Sequence, residues 1–203
     1  MKQYFLTPGP TPIPAEIALK EALPILHHRT SEFAIIYKNV LEGLKYVFQT
    51  KNDVYLFAAS GTGAMEMAVV NLLSSGDKIV VASCGNFGDR WVKIAESYGV
   101  KVISVSVEWG RVVKPVKIEK VLKANPDIKA VYTTFTETST GVVNDIKTIG
   151  EIVLKTNAAL VIDAISGLAG QEFRTDEWKV DVAGIRFSKG FYACPRSCFY
   201  NAK

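Results

Sequence analysis

The chain has 203 residues, 48% hydrophobic and 22% charged, which is the composition of one globular domain and excludes disordered, collagen-like and disulfide-scaffold chains. Its net charge of +4 comes from lysines spread along the sequence, so no nucleic-acid partner is expected. No apolar run approaches the roughly 18 residues of a membrane span. The proline-broken N-terminus lacks a signal-peptide core, and three cysteines suit a reducing compartment, so the expected setting is cytoplasmic, without membrane association.

Residues 7–14, TPGPTPIP, form an arm that proline's fixed φ keeps extended. Ser31 reads as an N-cap. Phe33, Ile36, Val40, Leu41, Leu44, Val47 and Phe48 follow at helical spacing and predict an amphipathic helix over about 32–49. Beyond Asn52, strand and helix alternate. Strands are predicted at Val54–Ala59, Lys78–Ser83, Lys101–Val107, Ala130–Thr136, Ala159–Ala164 and Val180–Phe187. Helices are predicted at Ala64–Leu73, Phe87–Tyr98, Ile118–Ala124 and Ile146–Lys155. Val- and Ile-rich strands separated by helices predict an α/β domain with a mostly parallel sheet covered on both faces.

Such sheets bind ligands outside the carboxyl ends of their strands. The residues there are Ser60-Gly61-Thr62-Gly63, Cys84-Gly85-Asn86-Phe87, Glu137-Thr138-Ser139-Thr140, Asp163-Ala164-Ile165 and Ser188-Lys189-Gly190. The first set joins a strand to a helix, where glycines and a helix N-terminus suit a phosphate; a plain capped turn is the alternative. It is not a dinucleotide fingerprint, because Glu66 stands where the third glycine belongs, and no Gly-Lys-Ser/Thr makes it a P-loop. Asp163 closes an apolar strand, which suits either a counter-ion for a bound cation or a cap. Lys189 suits either a Schiff-base nucleophile or a solvated lysine. Cys194 and Cys198 lack a second ligand pair, so no metal site is expected. Trp91, Trp109 and Trp178 read as core or interface residues. A phosphate cup, an aromatic ring, a carboxylate and a lysine together are what pyridoxal 5'-phosphate requires.

Six motifs in order along the chain resemble the class V aminotransferases of the serine/alanine–glyoxylate group. They are TPGPTPIP, His27-His28-Arg29-Thr30-Ser31-Glu32-Phe33, AASGTGAMEMAV, GNFGDRW, ETSTGV and VIDAISGLAG. The resemblance implies the large domain of a fold-type I transferase, preceded by an arm and interface segment at 1–30, with 31–203 an incomplete cofactor-binding domain. It implies transamination of serine or alanine with glyoxylate or pyruvate through a Schiff base on Lys189, in a homodimer. By residue, it implies Ser60, Gly61 and Thr62 at the phosphate and Phe87 stacked on the pyridine ring. Thr138 would meet the ring hydroxyl, Asp163 the ring nitrogen and Ile165 the other ring face. Ser188 stands where the family's phosphate-touching Gln belongs, and Gly9 and His28 fall on the substrate side, with a helix-entry or interface role the alternative for His28.

The departures begin at Ile185. The family writes G-S-Q-K-G around its lysine, whereas this chain reads Gly184-Ile185-Arg186-Phe187-Ser188-Lys189-Gly190. The tail from Tyr192 to Cys198 matches none of the family's pattern. The expectation is a truncated chain with a frameshifted or disrupted end from about Ile185, lacking the later strands and the small domain, leaving an apolar sheet edge bare, and having little or no activity alone. The alternatives are a cysteine desulfurase-like enzyme, which usually stacks a histidine where Phe87 stands, a non-catalytic fragment, or a nucleotide-binding domain, which leaves Asp163 and Lys189 unexplained.

Overall fold

The computed structural model describes residues 7–9 and 11–186, and the backbone of Cys198–Ala202. Its centre is a run of short apolar strands: β1 (Asp53–Phe57), β2 (Lys78–Ser83), β3 (Lys101–Ser106), β4 (Ala130–Thr134), β7 (Ala159–Asp163) and β8 (Val182–Arg186). β5 (Thr136–Glu137) and β6 (Val142–Val143) make a separate two-stranded hairpin, and β9 (Cys198–Ala202) ends the described chain. The helices are α1 (Ala15–Glu21), α2 (Ser31–Phe48), α3 (Gly61–Val70), α4 (Asn86–Ser97), α5 (Pro115–Ala124) and α6 (Ile146–Val153).

The main sheet runs β1-β9-β8-β7-β4-β2-β3. β3, β2, β4, β7 and β8 pair in parallel, and β9 is antiparallel to both β1 and β8. The strands alternate between two cores. Val80, Val131, Leu160 and Ile162 meet Leu44, Phe48, Ile118 and Ile149 of α2, α5 and α6 on one face. Val81, Tyr132 and Val161 meet Met65, Ala68, Trp91 and Ala95 of α3 and α4 on the other. Burial on both faces is why these strands read as continuous Val/Ile runs rather than alternating ones.

The strands and helices expected after Asn52 are present, with ends shifted by a few residues. Four findings differ from the sequence reading. α2 is capped by Thr30, whose Oγ1 accepts from the Phe33 N–H at 3.3 Å; Ser31 is already helical. Only Leu44 and Phe48 of the α2 stripe are buried, while Ile36 and Val40 are exposed. The expected strand 130–136 stops at Thr134, and a two-residue strand resumes at Thr136. The sheet edge expected to be bare beside β8 is covered, because β9 pairs Gly184 with Tyr200 and Asp53 with Ala202. Ladder hydrogen bonds are made by backbone, so this strand forms without any of the expected side-chain motif.

Candidate functional site

β1 hands the chain to α3 through Ser60. Its Oγ accepts from the Gly63 N–H at 3.2 Å, so the side chain serves as the N-cap. The first N–H groups of a helix have no acceptor within it, and they carry the positive end of its dipole. A Cβ at Gly61 would come within 2.7 Å of Ile165 Cδ1 and 3.7 Å of Arg186 Cδ, so a side chain there would displace the end of Ile165. The helix start, Phe87, Ile165 and Arg186 enclose a cavity of about 110 Å³ into which Ser60 and Thr62 also face. A larger hollow of about 700 Å³ lies near the opposite end of β1, walled by Glu42, Lys45, Lys51 and Arg174. It is an open surface recess walled by charged side chains, and none of the strand-end residues reaches it.

Phe87 sits in the first turn of α4. The Arg90 guanidinium lies one turn on, 4.7 Å from the Phe87 ring centroid, and its Nη1 donates to Thr62 Oγ1 at 2.9 Å. A hydroxyl that accepts from arginine keeps its own hydrogen for an anion. The cap residue of α4 is Gly85, which has no side chain to offer. The acceptor comes instead from Glu137, which is fully buried. Its two oxygens accept from the Phe87 N–H at 3.3 and 3.1 Å, and Oε2 also from the Gly88 N–H at 3.0 Å. Oε1 takes the Ser139 N–H at 3.1 Å and the Ser139 hydroxyl at 2.7 Å. A Cβ at Gly85 would fall 2.5 Å from Glu137 Cγ, so glycine makes room for the carboxylate.

Asp163 ends β7, 5% exposed, in register with Thr134 on one side and Gly184 on the other. Its Oδ1 accepts from the Ile165 N–H at 2.9 Å, which turns the chain so that Ile165 covers Gly61. The Thr138 and Ser166 hydroxyls are hydrogen-bonded to each other, Ser166 lying three positions after Asp163 in the chain. Behind the site, Cys84 is buried. Burial pushes its thiol above the ordinary range, the Asn144 amide on its sulfur works the other way, and the Glu137 charge adds to the rise. It is therefore a packing residue rather than a nucleophile.

Ser60, Gly61, Thr62, Phe87 and Ile165 thus share one cavity; Asp163 ends β7, and Thr138 follows β5 in the separate hairpin. Ser188 and Lys189 lie outside the described residues. Gly9 is half-buried in the arm and His28 is exposed, its ring stacked on His27; neither lines the cavity. Of the tryptophans, Trp91 is core, Trp178 packs at its margin and Trp109 is exposed. The sequence reading assigned no role to Glu137, Arg90 or Arg186. Arg90 was within reach of it, since three positions after Phe87 is the same helix face.

Comparison with known proteins bears on the fold and the family. The model of the family described as aminotransferase class-V matches residues 8–192. An uncharacterised aminotransferase of Methanocaldococcus jannaschii is 39% identical over 96% of this chain and 51% of its own length. Serine–glyoxylate aminotransferase of Methylorubrum extorquens is 37% identical, over 93% of this chain and 48% of its own length. The crystal structure of ureidoglycine–glyoxylate aminotransferase from Bacillus subtilis superposes with a TM-score of 0.94 at 27% identity, covering 100% of this chain and 53% of that one. The chain spans about half the length of the curated relatives it matches. With a family model running through every strand of the site up to Lys189, this chain belongs to the class V aminotransferases.

Proposed function

We propose that this chain carries the pyridoxal 5'-phosphate site of an aminotransferase that exchanges the amino group of serine or alanine with glyoxylate or pyruvate. The observation that carries the reading is one cavity whose floor suits an anion and whose walls include an aromatic and an isoleucine side chain. The start of α3, with the Ser60 and Thr62 hydroxyls, makes the floor. Phe87 and Ile165 make the walls, and the buried Asp163 stands at the adjoining strand end. These donors fit the group. The helix N-terminus and hydroxyls suit its phosphate, the Asp163 carboxylate its protonated ring nitrogen, and Thr138 its ring hydroxyl.

When bound, the cofactor supplies the electron sink for the electrons of a substrate C–H bond. Asp163 holds the proton on the ring nitrogen, and the Ile165 N–H holds Asp163 in place. Phe87 and Ile165 fix the ring plane between them. Lys189 is the proposed attachment point and the group that later moves the α-proton. The reaction is assigned to a homodimer in the cytoplasm, with the exposed apolar arm seated on a second copy. Ile17, Leu19, Leu23 and Ile25 are exposed on the arm, and Ile35 and Ile36 on α2. An apolar surface of that extent marks an interface.

Titration of the full chain with pyridoxal 5'-phosphate tests the site. Saturable binding is expected, with borohydride reduction placing the label on Lys189 by peptide mapping. A label on another lysine, or none, overturns the assignment. Asp163→Asn is expected to leave binding within about threefold while slowing transamination at least about a hundredfold, since a neutral amide does not hold the ring proton. Light scattering is expected to give a dimer; a cofactor-loaded monomer at all concentrations overturns the arm's role.

A further inference from the structure

The start of α4 is capped in an unusual way. Helices ordinarily cap themselves with the side chain just before the first turn. Here that residue is Gly85, and the acceptor arrives from fifty positions away as the Glu137 carboxylate. The cost of burying this carboxylate fully is offset by donors on every side: two backbone N–H groups of α4, and the N–H and hydroxyl of Ser139. Ser139 Oγ in turn accepts from the Asn86 N–H at 3.0 Å, so the first three residues of α4 are all held from the same loop.

That loop also carries Thr138. Glu137 and Thr138 are consecutive, so one short segment sets both the Phe87 amide and the Thr138 hydroxyl, which is bonded to Ser166 in the turn that follows Asp163. A plain helix cap needs no such link. We propose that Glu137 is a positioning residue: through the Phe87 amide it fixes where the Phe87 ring stands relative to Thr138 and Asp163, and thereby the seat of the cofactor ring. The proposal rests on the cofactor reading above.

The test uses Glu137→Gln, Phe87→Ala and the double variant of the full chain. Each is titrated with pyridoxal 5'-phosphate, and the circular dichroism band of the bound cofactor is read beside the melting temperature. Glutamine keeps one acceptor oxygen but turns an NH2 toward groups that are themselves donors. Losing a ring stack weakens binding about tenfold. A residue acting through that ring cannot cost more than the ring itself, so Glu137→Gln is expected to weaken binding about fivefold and to reduce the dichroic band. In the double variant the loss should equal that of Phe87→Ala alone.

A lower melting temperature with unchanged affinity and dichroism makes Glu137 a cap only and overturns the proposal. Losses that multiply in the double variant overturn it too, because Glu137 then acts by a route other than Phe87. Should Glu137→Gln fail to fold, Ser139→Ala carries the test, since it removes one donor to Glu137 and the acceptor of Asn86. It is expected to weaken binding about twofold with the same dichroic change; unchanged binding and dichroism overturn the proposal. A parent chain that binds no cofactor overturns the functional reading as a whole, whereas a parent that binds normally beside an unaltered Glu137→Gln overturns only this inference.

Discussion

Ile25 and Ile162 have the same side chain and opposite fates. Ile25, in the arm, is 98% exposed; Ile162, in β7, is fully buried. The difference extends to the regions around them. β4 and β7 each have a strand on both sides and a helix layer on each face. From Ala15 to Gly43 the chain presents apolar residues with no second layer of its own, and α1 buries none of its residues. A sheet between helices satisfies its apolar demand within one chain, while the described arm leaves its isoleucines exposed.

The sharpest way to break this comparison is to truncate both isoleucines. Ile162→Ala is expected to cost about 3 kcal/mol, the transfer free energy plus the cavity left in a close-packed core. Ile25→Ala is expected to change the stability of the isolated chain by less than about 0.5 kcal/mol. Urea denaturation of the two variants reads the contrast directly. A large cost at Ile25 under conditions where the chain is monomeric would show that the arm packs on its own domain.

Legibility followed the same division. KIVVAS could be bounded without error because Ile79–Ser83 are all buried, and the β-branched residues of so short a run favour a strand. The places of the strand-end residues were also readable: Ser60, Phe87 and Thr138 each follow a recognisable strand and Asp163 closes one, while their roles toward a cofactor are proposals. Contacts with no local signal were not readable. The Glu137 bond to Phe87 spans fifty positions, and nothing near Gly85 announces it. β9 joins β1 to β8 by backbone pairing, which leaves no side-chain motif to find. The stripe on α2 misled for a related reason: helical spacing shows that one face is apolar, not what covers it, and the core takes only Leu44 and Phe48.

Glycines sharpen the contrast at smaller amplitude. Gly88 lies where α4 presses on the end of β2, and a Cβ there would stand 2.7 Å from Ser83 Cα. Backbone cannot yield as a side chain can, so Gly88→Ala is expected to cost about 1–3 kcal/mol by overpacking. It would also tilt the first turn of α4 and weaken cofactor binding. Gly43, in the exposed part of α2, has no atom within 4 Å of a built Cβ. Gly43→Ala is expected to stabilise by about 0.5–1 kcal/mol, because alanine loses less backbone entropy in a helix. Thermal melts of the two variants should therefore move in opposite directions; movement in the same direction would break the claim that close packing is confined to the sheet.

The smallest expected effect compares the two ends of the sheet. At the carboxyl ends, Asp163 and Glu137 are buried and fixed by N–H donors. At the amino end, Asp127 is exposed, paired with Lys78 at 2.7 Å across the turn that leads into β4. The hydrogen bond from Lys78 is the main reason its carboxyl titrates below the usual carboxylate range, with burial working weakly the other way. A carboxyl depressed in the folded chain holds fewer protons than in the unfolded one. Its contribution is therefore present above the unfolded carboxylate pKa and is lost as pH falls through the folded one. Solvent and salt screen a pair this exposed, so the amplitude is small. Asp127→Asn should lower the melting temperature slightly at pH 7 and low salt. The gap from the parent should shrink in high salt and close as the pH drops below the carboxylate range. A gap that survives both acid and salt would mean that Asp127 acts through the turn's backbone and not through its charge, and the amino end of the sheet would then be held by fixed hydrogen bonds as the carboxyl end is.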